Sequence, residues 1–545
     1  MKTSTTPTKT LLPLALGLLP ALAWSGDALA GPCLPGPDRA GFEAGLVAAF
    51  AASTLDVDQL YDHATNRLGY GWVGAPGTRS HAQLAALIAD DLEVASSATA
   101  ADALDVQLAG LPNGNGAFPY AFADDSMAST YVEYKNQSSR GTIRNLATVR
   151  TISQALTGPN IDLGTVLQEY WFNHFNVYAT KTDWATVSYQ EQIRSQQCGT
   201  FAGLLTTTAK HPAMLIYLDN RHSVVGDINE NYGREVLELM TFGDDEYVWY
   251  DQDDVVATAN ALTGWTISVA GDNPQFSFVA ANHDPQALVL FSGAQQLALA
   301  AGANVGRGEQ LLAHLAAHPA TKQNVCAKLV RRLMGRAPAT TVNACKGAWG
   351  TGGELGDMLQ AILVHPEMWS SASYRKQIKN PFELAISAQR ALGTNQVSVA
   401  RITSIRNISR DMGLPVAMVP PPTGYPDTVS GWAGAGNSIQ WVESSFSSLT
   451  TTSISFSLNG APASSGGTLE TAVADFVATN PGSTALNAII DDVKEALGLP
   501  PPLNMPYAAL RLALQNPDVY DPNGTHRPFR TLVTGILTTP QFLRK

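Results

Sequence analysis

The chain has 545 residues, 45% of them hydrophobic and 15% charged, which provides for a large core and excludes a disordered protein. Its 46 acidic residues outnumber 34 lysines and arginines, for a formal net charge of -12. That balance, with no dense basic tract, argues against a nucleic-acid groove or an anionic membrane surface as partner. The densest basic group is Lys328, Arg331, Arg332 and Arg336, whose spacing fits the solvent face of a helix.

The first thirty residues read as a secretory signal peptide. Lys2 and Lys9 give a positive start, residues 11–22 are apolar apart from Pro and Gly, and Ala28-Leu29-Ala30 presents small residues for cleavage. The apolar run is shorter than the roughly 20 residues that a membrane span needs. The expectation is therefore an exported protein, periplasmic or secreted, with no membrane span in the mature chain. Four cysteines remain in that oxidising setting, Cys33, Cys198, Cys326 and Cys345, and they allow three pairings. Cys326 with Cys345 closes the shortest loop and is favoured, which leaves Cys33 with Cys198.

A Pro/Gly-rich lead-in follows the signal, and helical periodicity then dominates over residues 42–50, 82–94, 143–156 and 163–177. Residues 112–123 read as a loop. Three His-Pro steps, at His211, His318 and His365, suit helix starts, because the missing N–H of proline costs nothing in a first turn. Asp251-Gln252-Asp253-Asp254 resembles a capped helix start ahead of residues 255–262 more than a calcium loop. Strand signals are few. Residues 265–269, 276–279 and 288–291 predict a small sheet or hairpin around Gly271-Asp272-Asn273-Pro274. Residues 445–457, Ser/Thr-rich with alternating apolar positions, fit a strand or an irregular excursion, and 486–497, 508–514 and 529–537 return to helix. No long linker divides the chain. The expected fold is mainly α, one helical body over residues 61–545 with a small β element near 265–291.

The polar residues gather in one block, Asn229-Glu230-Asn231-Tyr232-Gly233-Arg234-Glu235-Val236-Leu237-Glu238. On a helix, Asn231, Glu235 and Glu238 share a face, and Glu230 with Arg234 forms an i, i+4 pair. Two carboxyls one turn apart can hold a cation or divide acid and base roles. The same pattern also fits a solvated helix. His174 sits on an aromatic helix, with Tyr170 on its face and Glu169 and Asn173 on the next. Asn282-His283-Asp284 follows the hairpin and suits a ligand pair, an oriented base or a turn. No nucleophile elbow, phosphate loop, His-Glu-x-x-His or dinucleotide fingerprint occurs.

Taken in order, these motifs resemble the bacterial family called domain of unknown function 1800. The resemblance runs through His63-Ala-Thr-Asn-Arg67, Asn173-His174-Phe175, His211-Pro212, the Asn229 to Leu239 block, Thr263-Gly264-Trp265 and His283-Asp284. It continues through His318-Pro319, Lys379-Asn380-Pro381, Pro420-Pro421 with Gly424, and Thr539-Pro540-Gln541-Phe542. Gly233 stands where the family pattern has Ala. The resemblance implies an exported helical protein and no particular activity, cofactor or metal. It adds weight to Asn229, Glu230, Asn231 and Arg234 as binding residues, and to Glu235, Glu238, His174, His283 and Asp284 as catalytic ones. Two functional expectations follow. One is an extracytoplasmic hydrolase or lyase acting on a polymer such as polysaccharide. The other is a non-enzymatic scaffold that works with a separately encoded surface partner, its Asn/Glu/Arg block a hydrogen-bond network.

Overall fold

A computed structural model describes residues 38–72, 79–94, 127–135, 140–243, 249–392, 397–434 and 528–545, together with short pieces at 32–34 and between 436 and 511. The signal peptide, the loop at 112–123, and most of 445–457 and 486–497 lie outside the described residues, whereas 508–511 is helical as expected and 512–514 lies outside them.

The protein is mainly α. Helices Arg39–Ala51, His81–Val94, Arg140–Thr157 and Leu163–His174 lie within a residue or a few of the windows read from periodicity. The His-Pro steps do start helices. In each, proline opens the first turn and the histidine Nδ1 accepts from a backbone N–H, that of Ala213 at 3.1 Å, Ala320 at 3.1 Å and Glu367 at 3.3 Å. A ring nitrogen thus satisfies one orphan donor of the helix end. The helix Gln252–Ala261 carries the expected capping box between Asp251 and Asp254. Asn380 and Glu383 form another at Pro381–Ala391.

Strand structure is minor. Trp265–Ala270 pairs antiparallel with Asn273–Phe278. Leu288–Leu290 does not join that ladder; it pairs with Leu297–Leu299 in a second one. The buried apolar side chains, from Leu34 to Phe542, form a contiguous core. Two disulfides, Cys33–Cys198 and Cys326–Cys345, fasten it in the favoured pairing. Among the described residues no helix is long and apolar enough to cross a membrane.

One expectation is overturned. Arg332 does not face solvent. It is 4% exposed and lies between two buried carboxyls, donating from Nη2 to Glu169 at 2.8 Å and from Nη1 to Glu383 at 2.5 Å. Spacing along one helix cannot reveal this, because the partners come from elements 163 and 51 residues away.

Candidate functional site

The Asn229 block forms a short helix, Glu230–Glu235, which passes directly into a π-helical turn, Val236–Thr241. Asn229 starts it. Its Oδ1 accepts from Asn231 N at 3.0 Å, and its Nδ2 donates to Leu218 O at 2.6 Å. Tyr232 anchors the inner face, its hydroxyl donating to Ala209 O at 2.8 Å. On the outer face Gln252 bridges two members of the block, accepting from Arg234 at 2.6 Å and donating to Glu230 at 2.8 Å.

The π turn has a physical cause. Phe242 N donates to Leu237 O at 2.8 Å, five residues back, and the loosened spiral leaves carbonyls that need donors. Packed helices provide them: His174 Nε2 to Met240 O at 3.1 Å, Asn324 Nδ2 to Thr241 O at 2.8 Å and Lys328 Nζ to Leu239 O at 3.2 Å. π turns of this kind are frequent at functional sites.

Glu235 and Glu238 straddle the junction, both part-exposed. Among the described residues neither side chain makes a hydrogen bond, which sets them apart from Asn229, Glu230 and Arg234. Burial, reinforced by the neighbouring Glu238, pushes the Glu235 carboxyl up to about 7, against a smaller opposing pull from Arg234. Tyr217 lies close by. Burial and then the Glu235 charge raise its hydroxyl pKa, and that hydroxyl donates to Pro420 O at 2.6 Å. Asn176 donates to Val419 O and Pro421 O at 3.0 and 2.8 Å, on either side of the Pro420 carbonyl that Tyr217 holds. Neither Tyr217 nor Asn176 stands out in the sequence as chemistry.

His174 is enclosed by Tyr170, Trp171, Phe175 and Phe201. Burial lowers its pKa to about 3, so the ring is neutral and is committed to Met240. His283 and Asp284 sit elsewhere. The His283 Nδ1–H donates to Thr263 O at 2.8 Å, and Nε2 accepts from Arg307 at 3.1 Å, with burial holding its pKa down. Asp284 directs Oδ1 to Gln286 N at 2.9 Å, a local turn, rather than to His283. Among the described residues no hydrogen bond or ion pair joins His283 and Asp284 to Glu235 and Glu238. Asn231 is exposed beside the carboxyl pair. Among the described residues no three His, Cys, Asp or Glu side chains gather as a metal site.

Behind this surface lies a buried ion network that the sequence reading missed. Glu169 accepts from Arg332 and, at 2.6 Å, from the Tyr425 hydroxyl, while Glu383 accepts from Arg332 and from Lys545. Burial raises the Glu169 carboxyl; at Glu383 burial acts the same way, but Lys545 and Arg332 outweigh it and hold the group at about 2. Gly424 lets the loop approach. Its φ of +66° suits glycine, and a Cβ there would stand 2.2 Å from Asn173 Oδ1. Tyr425 N can thus donate to Asn173 Oδ1 at 2.8 Å. The capping box Asn380 to Glu383 was the available sequence signal for one member.

A family model described as "Protein of unknown function (DUF1800)" matches residues 63–544. The chain belongs to this family. No curated protein and no solved structure matches it. The match takes in the DUF1800 protein's carboxyl pair, the π turn and the buried ion network apart from Lys545.

Proposed function

We propose that this DUF1800 protein is exported by its first thirty residues and acts outside the cytoplasm as a hydrolase or lyase on a polymer, with polysaccharide the favoured substrate. Glu235 and Glu238 are its acid/base pair. The observation that carries this reading is a part-exposed carboxyl held near 7 beside a second carboxyl on a braced π turn. A group with that affinity can both give and take a proton at neutral pH. His174 is then a positioning residue, because it fixes the carbonyl of Met240 two residues beyond Glu238. Asn231 and Arg234 supply polar contacts at the rim, and His283 with Asp284 shapes the neighbouring loop.

The test is release of reducing ends or unsaturated products from a panel of polysaccharides by the mature protein. Glu235→Gln should lower the rate by about 10²-fold or more, with an unchanged circular dichroism spectrum. Undiminished turnover in that variant would remove the assignment.

A second reading has its own support. Asn229 and Tyr232 spend their side chains on backbone carbonyls, as a packing network would. On that reading the protein is an exported scaffold with a surface partner. Glu235→Gln would then leave the partner's capture unchanged, and no polysaccharide would be cut.

A further inference from the structure

We infer that a pocket between the helices Arg140–Thr157, Leu163–His174 and Thr186–Gln196 and the segment 414–425 binds one neutral, hydroxyl-rich unit, a sugar ring or polyol. The pocket holds about 480 Å³ of empty space, its open mouth included. Its decisive feature is Gln168. That side chain is 6% exposed and lines the pocket, and among the described residues its carboxamide has no hydrogen-bond partner. Its amide atoms are absent from the fully enclosed polar groups and open to the pocket, so they are free to donate to and accept from a ligand there.

The other walls define the ligand's chemistry. Gln154 also lines the pocket with an uncommitted carboxamide among the described residues, and Gln190 uses only its Nε2, on Thr151 Oγ1 at 3.2 Å. Carboxamides both donate and accept, as hydroxyl groups do, and so match a polyol in either sense. Among the described residues no Lys, Arg or His lines the pocket, which leaves an anion without a counter-charge. Glu169 is the one acid in the lining, and Arg332 and Tyr425 already occupy it, which disfavours a cation. Val416 and Val419 provide an apolar wall for the C–H face of a ring. Asn176 lines the same pocket and holds Val419 O and Pro421 O on either side of Pro420, whose carbonyl accepts from Tyr217, the tyrosine that feels the Glu235 charge. The pocket therefore adjoins the carboxyl pair, and in naming a substrate class it rests on the polymer reading above.

The experiment is a binding titration of the full mature protein by saturation-transfer NMR and calorimetry, with cellotetraose, maltotetraose, xylotetraose and chitotetraose as probes and glucuronate and inorganic phosphate as anionic comparators. At least one neutral saccharide should saturate the protein at millimolar concentration or below, and neither anion should. Gln168→Leu should weaken that binding by about tenfold or more with little change in melting temperature, since no hydrogen bond within the protein among the described residues is lost. Gln168→Leu that binds as wild type does, tighter binding of an anion, or no binding by any neutral probe would each overturn the inference. Binding is read without turnover. Saccharide that binds through Gln168 without being cut would refute the hydrolase reading alone, and saccharide cut by a Gln168→Leu protein of normal affinity would refute the pocket alone.

Discussion

His174 donates from Nε2 to the carbonyl oxygen of Met240 at 3.1 Å, across 66 residues of sequence, and so joins the aromatic helix to the π turn beside Glu238. The bond needs a ring that is neutral at Nδ1, among aromatics that exclude water. A histidine used this way couples the fold to pH.

His63, His174 and His211 are all held at about 3, burial being the chief cause in each. Below about 6.5 the unfolded chain takes up protons at these positions and the folded chain does not. Stability is therefore lost as pH falls through 6.5, and the loss continues until about pH 3. The slope is on the order of 1.4 kcal/mol per pH unit for each histidine. Glu235 acts in the opposite sense. Its folded value of about 7 lies above its unfolded 4.5, so its contribution is complete below 4.5 and disappears as pH rises through 7. Other groups act in both senses, His318 with the histidines and the raised carboxyls of Asp91, Asp162, Glu169, Asp254 and Asp427 with Glu235, so the histidine contribution is read as a difference between variants. His211→Asn keeps a cap acceptor and removes one proton sink. Urea titrations from pH 4.5 to 7.5 should show its slope flattened by about one histidine's share, and an unchanged slope would rule the account out.

Arg332 separates two buried carboxyls, and its removal tests what the network contributes. Arg332→Met leaves Glu169 and Glu383 facing each other with less compensation, so the loss should be on the order of 3–5 kcal/mol. The exposed pair Arg410 with Asp411 gives the contrast, because Arg410→Met should change stability by less than about 1 kcal/mol. Equilibrium denaturation of both variants decides it. Equal, small effects would show that Arg332 is not the keystone of this network.

Local structure was legible wherever a rule acts within a few residues. The Asp251 capping box, the His-Pro helix starts, the hairpin at 265–278 and both disulfides depend on neighbouring residues or on an even cysteine count. What depends on tertiary neighbours was not legible. Arg332 has the same spacing whether it meets water or Glu169. The π turn breaks the helical register after Glu235 because His174, Asn324 and Lys328 bring donors to its carbonyls, and none of the three is near in sequence. His283 beside Asp284 looked like an oriented pair, yet the ring is held by Thr263 and Arg307. Glu235 and Glu238 could be selected from the sequence, but their lack of hydrogen-bond partners among the described residues, which sets them apart from Asn229, Glu230 and Arg234, could not.

Gly233 offers a test of how closely the site's scaffold is fitted. By helix propensity, Gly233→Ala should stabilise by about 1 kcal/mol. In this chain the added Cβ would lie 2.8 Å from Val255 O and 2.9 Å from Ala259 N, both backbone atoms of the helix Gln252–Ala261. Backbone cannot yield as a side chain end can, so the two helices must part. We expect a net loss of about 1–3 kcal/mol. Gly141, also in a helix but with nothing within 4 Å of its would-be Cβ, is the control. Gly141→Ala should be neutral or gain up to about 1 kcal/mol. If thermal melts move both variants in the same direction, the close approach at Gly233 is wrong. If they diverge, Gly233→Ala should also disturb the Gln252 bridge to Arg234 and Glu230. That bridge is one turn from Glu235, so the loss of stability and a shift in the Glu235 titration should appear together.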